Sequence, residues 1–213
     1  RLLEVEIELV MPENATRERM LTMRAFGATV TLTPESGGME AAIDYAKAKV
    51  ESEGYVMLDQ FSNPHNPEMH YRTTGPEIWR DTDGSVTHFV SAMGTTGTIM
   101  GVSRYLKEQN SAVRIIGAQP GDGASIPGIR KWPSEYLPKI FEPSRVDQLI
   151  DVTETEAREM AKRLAKEEGI FGGMSSGGAV AVALKLIPEL TEGVVVCIIC
   201  DRGDKYLSTD LFD

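Results

Sequence analysis

The residues best suited to chemistry in this sequence sit in glycine- and hydroxyl-rich turns. Ser91-Ala-Met-Gly94-Thr95-Thr96-Gly97-Thr98-Ile-Met100 joins an apolar run, Thr87 to Ser91, to a stretch of helical spacing. There Ile99, Met100, Val102 and Leu106 interleave with Arg104, Lys107 and Glu108. A strand-to-helix turn of this kind suits an anion. Backbone N–H groups and the positive end of a helix dipole face outward, Gly94 and Gly97 allow close backbone approach, and the threonine hydroxyls add donors. The same composition also serves as an ordinary α/β turn. Neither G-x-x-x-x-G-K-[ST] nor G-x-G-x-x-G with a following acidic residue occurs. The turn therefore points to a smaller phosphorylated ligand, not to a P-loop nucleotide or a dinucleotide.

Phe171-Gly-Gly-Met-Ser175-Ser176-Gly-Gly-Ala179 contains G-x-S-x-G, the pattern of a serine nucleophile elbow. That chemistry needs a histidine after the serine, and His65, His70 and His88 all precede Ser175. Two readings stay open: Ser175 or Ser176 caps a helix, or a serine hydroxyl meets a ligand atom. Cys197-Ile-Ile-Cys200 satisfies C-x-x-C, yet it lies in the β-type run Val194 to Cys200. Residues three apart on a strand face opposite sides, so the sequence reads as two buried thiols in a central strand and no metal site. Arg202-Gly-Asp204 reads as a turn, and Arg130-Lys131-Trp132 as surface or as an anion contact in a ligand-closing loop.

The elements that must position these residues alternate between two periodicities. Glu6 to Met11 reads as a strand, followed by a cap at Asn14 or Thr16 and a helix ending at an αL Gly27. Ala28 to Thr33 is a second strand, Ser36 to Val50 a second helix, and Tyr55 to Leu58 a third strand. The turn-rich Asp59 to Pro67 marks a domain boundary, with residues 1–62 in a smaller domain and 63–213 in a larger one. Beyond it the expectation is a helix over Tyr71 to Trp79, strands at Val113 to Ala118 and Gln148 to Val152, and an aperiodic loop from Gly121 to Pro133. Helices follow at Glu154 to Glu168 and Gly177 to Ile187. This order predicts an α/β fold with parallel strands and crossover helices.

Composition narrows the partners. With 213 residues, 41% hydrophobic, and a formal charge of -10, the chain can bury a core. It lacks the net basic face that nucleic acid or an anionic membrane requires. No apolar run approaches the roughly 20 residues of a bilayer span and no signal-peptide layout opens the chain, so a cytoplasmic location is the expectation. Arg1-Leu-Leu-Glu-Val runs straight into a strand, which reads as a piece of a longer protein.

Taken together, Gly94 to Thr98, Gly172 to Ala179, Asp59-Gln60-Phe61-Ser-Asn63-Pro64, Thr73-Thr-Gly-Pro-Glu-Ile78 and Cys200-Asp-Arg-Gly-Asp-Lys-Tyr206-Leu-Ser208 resemble the cysteine synthases of the fold-type II pyridoxal-phosphate enzymes. Ser125-Ile-Pro-Gly-Ile-Arg130-Lys-Trp-Pro133 is most similar to the B type of that family. The resemblance implies two doubly wound α/β domains, the smaller one incomplete, pyridoxal 5'-phosphate as cofactor, and a homodimer. It places the cofactor phosphate on Gly94, Thr95, Thr96, Gly97 and Thr98 and the pyridine nitrogen on Ser175. Gln60 and Phe61 fall beside the substrate carboxylate, and Arg130, Lys131 and Trp132 in a mobile loop at the pocket mouth. The implied reaction is β-replacement on an activated serine such as O-acetylserine, by sulfide or thiosulfate, giving cysteine or S-sulfocysteine. A neutral serine at the ring nitrogen moderates the electron sink, which suits elimination of a good leaving group.

The lysine that holds the cofactor covalently in the family has no counterpart motif here. Lys47, Lys49, Lys107, Lys162 and Lys166 lie in polar helical settings, so none is nominated as catalytic, and the chain alone is expected to be inactive. The alternatives are a related β-replacing or dehydrating enzyme, cystathionine synthase-like or serine/threonine dehydratase-like, and a non-catalytic binding module that keeps the phosphate site.

Overall fold

The computed structural model describes residues 4–213, which fall into two compact units. One runs to Leu58 and takes in Asp204–Asp213; the other is Asp59–Gly203. In the first, β1 (Glu8–Pro12) and β2 (Thr29–Thr33) pair in parallel, Glu8 opposite Thr29 and Pro12 opposite Thr33. The helix α1 (Arg17–Ala25) connects them and α2 (Gly38–Glu53) follows. Gly27 has φ 84°, the left-handed residue expected just past α1. The C-terminal segment belongs to this unit: Tyr206 and Leu211 are buried, Arg19 Nη2 donates to the Tyr206 hydroxyl at 2.7 Å, and Ser208 donates to Glu18 at 2.6 Å.

Tyr55 to Leu58 is not the expected third strand. Among the described residues the sheet of this unit has β1 and β2 only, and Val56 and Leu58 are 88% and 79% exposed. Strand preference is a fit to a pleated, half-buried surface, and without a neighbouring ladder an apolar run has nothing to fit.

The second unit carries a four-stranded parallel sheet in the order β5-β4-β3-β6, with β3 (His88–Ala92), β4 (Arg114–Pro120), β5 (Gln148–Val152) and β6 (Val195–Cys197). Phe89, Val90, Ile115 and Ile116 on its two inner strands are wholly buried, as continuous apolar runs in a parallel sheet should be. Around it lie α3 (His65–Arg72), α4 (Thr74–Asp81), α5 (Gly97–Gln109), α6 (Glu154–Glu168) and α7 (Met174–Leu186). Ile99, Val102 and Leu106 of α5 join Phe89 and Ile115 in one core. The α6 helix starts on a capping box, Thr153 Oγ1 accepting from the Glu156 amide at 3.1 Å and the Glu156 carboxylate from the Thr153 amide at 2.8 Å. No helix among the described residues is long and apolar enough to cross a membrane.

Several expectations are corrected in this unit. The helix over 71–79 is two helices broken at Thr73 (φ −122°, ψ −75°), because Pro76 can neither donate to nor fit beneath the carbonyl of Arg72 in a continuous helix. The strand β6 lies at a sheet edge among the described residues instead of at the centre. Its Cys197 is half-buried and Cys200, beyond the strand, is exposed, so the thiols are not both core residues. The α7 helix begins at Met174, three residues before Gly177, which puts Ser175 and Ser176 inside its first turn.

Candidate functional site

The strand β3 ends at Ala92 and α5 starts at Gly97, leaving Met93 to Thr96 as the turn. Thr96 has φ 71° and ψ −4°, a left-handed conformation that costs an ordinary L-residue about 1–2 kcal/mol. It is 3% exposed, and its Oγ1 is buried without a hydrogen-bond partner. Leaving such a hydroxyl unpaired costs on the order of 1–3 kcal/mol. The first turn of α5 holds no acidic side chain and no side-chain cap. Strain, an orphaned hydroxyl and a helix start free of carboxylates fit a phosphate group at this turn.

Thr95 Oγ1 accepts from the Gly97 amide at 3.3 Å and from Asn66 Nδ2 at 3.1 Å. The reason for Gly97 differs from the one read in the sequence: a Cβ there would run into the Asn66 carboxamide, and one at Gly101 into the Pro67 carbonyl. These glycines let α3 lie close against α5. From α3, His70 Nε2 reaches Thr98 Oγ1 at 3.2 Å, while Nδ1 meets Thr74 Oγ1 at 2.9 Å. Burial holds the His70 pKa below its ordinary value, favouring the neutral ring.

Gln60 and Phe61 follow Asp59, whose φ is 43°. The Asp59 carboxylate accepts from the Phe61 amide at 3.2 Å and from the Ser62 hydroxyl, a side-chain turn that fixes the segment. The Gln60 carbonyl accepts from Asn66 Nδ2 at 2.8 Å. Phe61 meets Trp132 edge to face, centroids 5.2 Å apart.

The segment from Gly121 to Pro133 contains no helix or strand, as expected, and it is moored to the turn between β3 and α5. Trp132 Nε1 donates to the Gly94 carbonyl at 2.8 Å and the Arg130 amide to the Met93 carbonyl at 2.8 Å. The Met93 and Gly94 carbonyls are thereby engaged by this segment. The Arg130 guanidinium lies 5.2 Å from the Trp132 ring centroid, and Lys131 pairs with Asp122 at 2.7 Å. Gly128, at φ 89°, faces Ser175, and a Cβ there would stand 2.9 Å from the serine Oγ.

Neither serine of the second motif caps α7; Gly173 is the N-cap and no side-chain cap forms. Ser175, 2% exposed, has its Oγ 3.1 Å from Cys200 Sγ. Ser176 donates to Asp201 Oδ1 at 2.6 Å, and that oxygen also accepts from the Gly173 amide at 3.2 Å. The structure thus links Phe61, Trp132 and Gly94 by successive contacts and leaves Gly128 without room for a side chain beside Ser175; Thr95 to Thr98 continue the turn from Gly94. Lys131 is engaged at the loop's exposed side. Asn66 and His70 were not nominated from the sequence, and only their i, i+4 spacing, on the face that meets Gly97 and Gly101, could have flagged them; Cys200 and Asp201 fell within a motif that carries the resemblance but were given no role.

Comparison with known proteins identifies the family and the fold. The family described as pyridoxal-phosphate dependent enzyme matches residues 1–201. Cysteine synthase B of Pseudomonas aeruginosa is 60% identical over 206 residues, covering 96% of this chain and 69% of the relative. Among solved structures, cysteine synthase of Entamoeba histolytica superposes with a TM-score of 0.87 at 36% identity, over 99% of this chain and 65% of that one. The O-acetylserine dependent cystathionine β-synthase of Helicobacter pylori gives 0.88 at 36% identity, over 98% and 71%. The chain therefore spans about two thirds of the length of these proteins. On sequence and fold together, it belongs to the family of pyridoxal-phosphate dependent enzymes, in its cysteine synthase branch.

Proposed function

We propose that the chain supplies the phosphate-holding and substrate-facing parts of an enzyme that replaces the β-substituent of an activated serine, such as O-acetylserine. The incoming nucleophile is sulfide or thiosulfate and the product is cysteine or S-sulfocysteine. The observation that carries this reading is the buried, unpartnered Thr96 hydroxyl at the strained start of α5. Pyridoxal 5'-phosphate, when bound, supplies the electron sink for loss of the β-substituent. In this reading Gly94, Thr95, Thr96, Gly97 and Thr98 hold its phosphate, and the Ser175 hydroxyl meets its ring nitrogen. Gln60 and Phe61 bound the place of the substrate carboxylate. Arg130 and Lys131 offer positive charge to an anionic sulfur donor, Lys131 after release from Asp122. Lys49 and Lys107 are held in ion pairs with Glu8 and Asp147. The enzyme works as a homodimer in the cytoplasm.

Product analysis tests the reading. With pyridoxal phosphate, O-acetylserine and sulfide or thiosulfate, it expects cysteine or S-sulfocysteine whenever turnover occurs. Pyruvate or 2-oxobutyrate formed without a thiol would replace it with a dehydratase. Cystathionine from homocysteine would favour the second reading, supported by the likeness to the Helicobacter pylori protein. In the full-length protein, phosphate-specific binding with no turnover marks a binding module.

A further inference from the structure

Asn66 lies outside the motifs that carry the family resemblance, yet its carboxamide touches three parts of the site. Nδ2 donates to the Gln60 carbonyl at 2.8 Å and to Thr95 Oγ1 at 3.1 Å, and Oδ1 is the atom a Cβ on Gly97 would strike. The orientation of the amide follows from its partners. A backbone carbonyl only accepts, so the NH2 end of Asn66 must face Gln60, and the same nitrogen then meets Thr95.

A threonine hydroxyl offers two acceptor positions and one proton. Thr95 Oγ1 receives the Asn66 Nδ2–H and the Gly97 amide N–H, at 3.1 and 3.3 Å. Both acceptor positions are used, and the proton can only be given away. We propose that Asn66 is a positioning residue: it makes Thr95 an obligate donor toward an oxygen that carries no proton, and it ties that donor to the backbone of Gln60. A phosphate ester dianion has such oxygens, while a neutral hydroxymethyl group would have to turn its own proton aside to accept. This inference rests on the phosphate reading of the α5 turn and adds to it the source of selectivity for an acceptor-only ligand. It also makes the position of Gln60 depend on the same side chain that polarises the phosphate turn.

The test measures equilibrium binding of pyridoxal 5'-phosphate and of unphosphorylated pyridoxal to the 213-residue chain, by quenching of intrinsic tryptophan fluorescence. The chain should prefer the phosphorylated compound. Asn66→Leu should cut that preference roughly tenfold or more, the scale of a hydrogen bond to a charged group, with pyridoxal binding nearly unchanged. Asn66→Asp keeps the side-chain volume and turns the Thr95 proton inward toward a carboxylate, so it should do the same or worse in a chain that still folds. In a Thr95→Val background Asn66→Leu should cost little more, whereas a merely structural role would give the full cost again. Equal preference for the two compounds in the unaltered chain would sink the phosphate reading and this inference with it. An intact preference in both Asn66 variants would leave the phosphate reading standing and overturn the inference alone.

Discussion

Thr96 holds the sharpest conflict between stability and function in the chain. Its hydroxyl is buried and unpartnered, and its backbone is left-handed. Thr96→Val keeps the shape and the β-branch, and therefore the strain, but removes the orphaned oxygen. It should stabilise the ligand-free chain by about 1 kcal/mol while weakening pyridoxal phosphate binding; urea unfolding and a binding isotherm on the same sample read both. A variant less stable than the parent and equally avid would show that the hydroxyl has an internal partner. The residues around this turn divide by how they could be read. Gly94 to Thr98 drew notice through local composition, whereas Asn66 and His70 find their partners 29 and 28 residues away, at Thr95 and Thr98. No local pattern encodes such a pairing.

Among the elements, those with signals inside their own span were legible to the residue. The strand β5 and the helix α6 run over the expected 148–152 and 154–168, the latter because Thr153 and Glu156 cap it reciprocally. What failed depended on distant neighbours: among the described residues the exposed run Tyr55 to Leu58 lacks a pairing strand, and the apolar β6 ends a sheet instead of filling it. The early start of α7 shows the same limit, since Gly173 and Asp201 decide it from 28 residues apart. Packing of α3 on α5 makes the element-scale prediction. Gly101→Ala would press a methyl group on the Pro67 carbonyl and the Tyr71 amide, both backbone. The helices must separate, at a cost of about 2 kcal/mol. Because α3 carries Asn66 and His70, binding of pyridoxal phosphate should fall together with the melting temperature. A variant that melts lower but binds equally well would uncouple α3 from the turn.

For the molecule as a whole, the described histidines with shifted pKa values act in one direction. Burial lowers the pKa of His70 and of His88, the latter with help from Arg114. The unfolded chain then binds more protons than the folded one once pH drops below the ordinary value of 6.5. Their contribution is present above that value and is lost as pH falls through it toward the folded pKa. The melting temperature should fall between pH 7.5 and 5.5, and His70→Gln should flatten that slope whatever it does to the stability at pH 7.5. An unchanged slope would place the acid sensitivity elsewhere.

The return of Asp204–Asp213 to the unit that runs to Leu58 has a bearing on the order of folding. During synthesis, all of Asp59–Gly203 leaves the ribosome before the residues that bury Tyr206 against Arg19 and bond Ser208 to Glu18. The contacts within Asp59–Gly203 can form first, whereas those that Tyr206 makes in the outer unit wait across a separation of 187 positions. Contacts that distant in sequence are slow to form. Removing residues 204–213 should accelerate amide exchange in residues 4–58 and leave the protection of β3 and β4 intact.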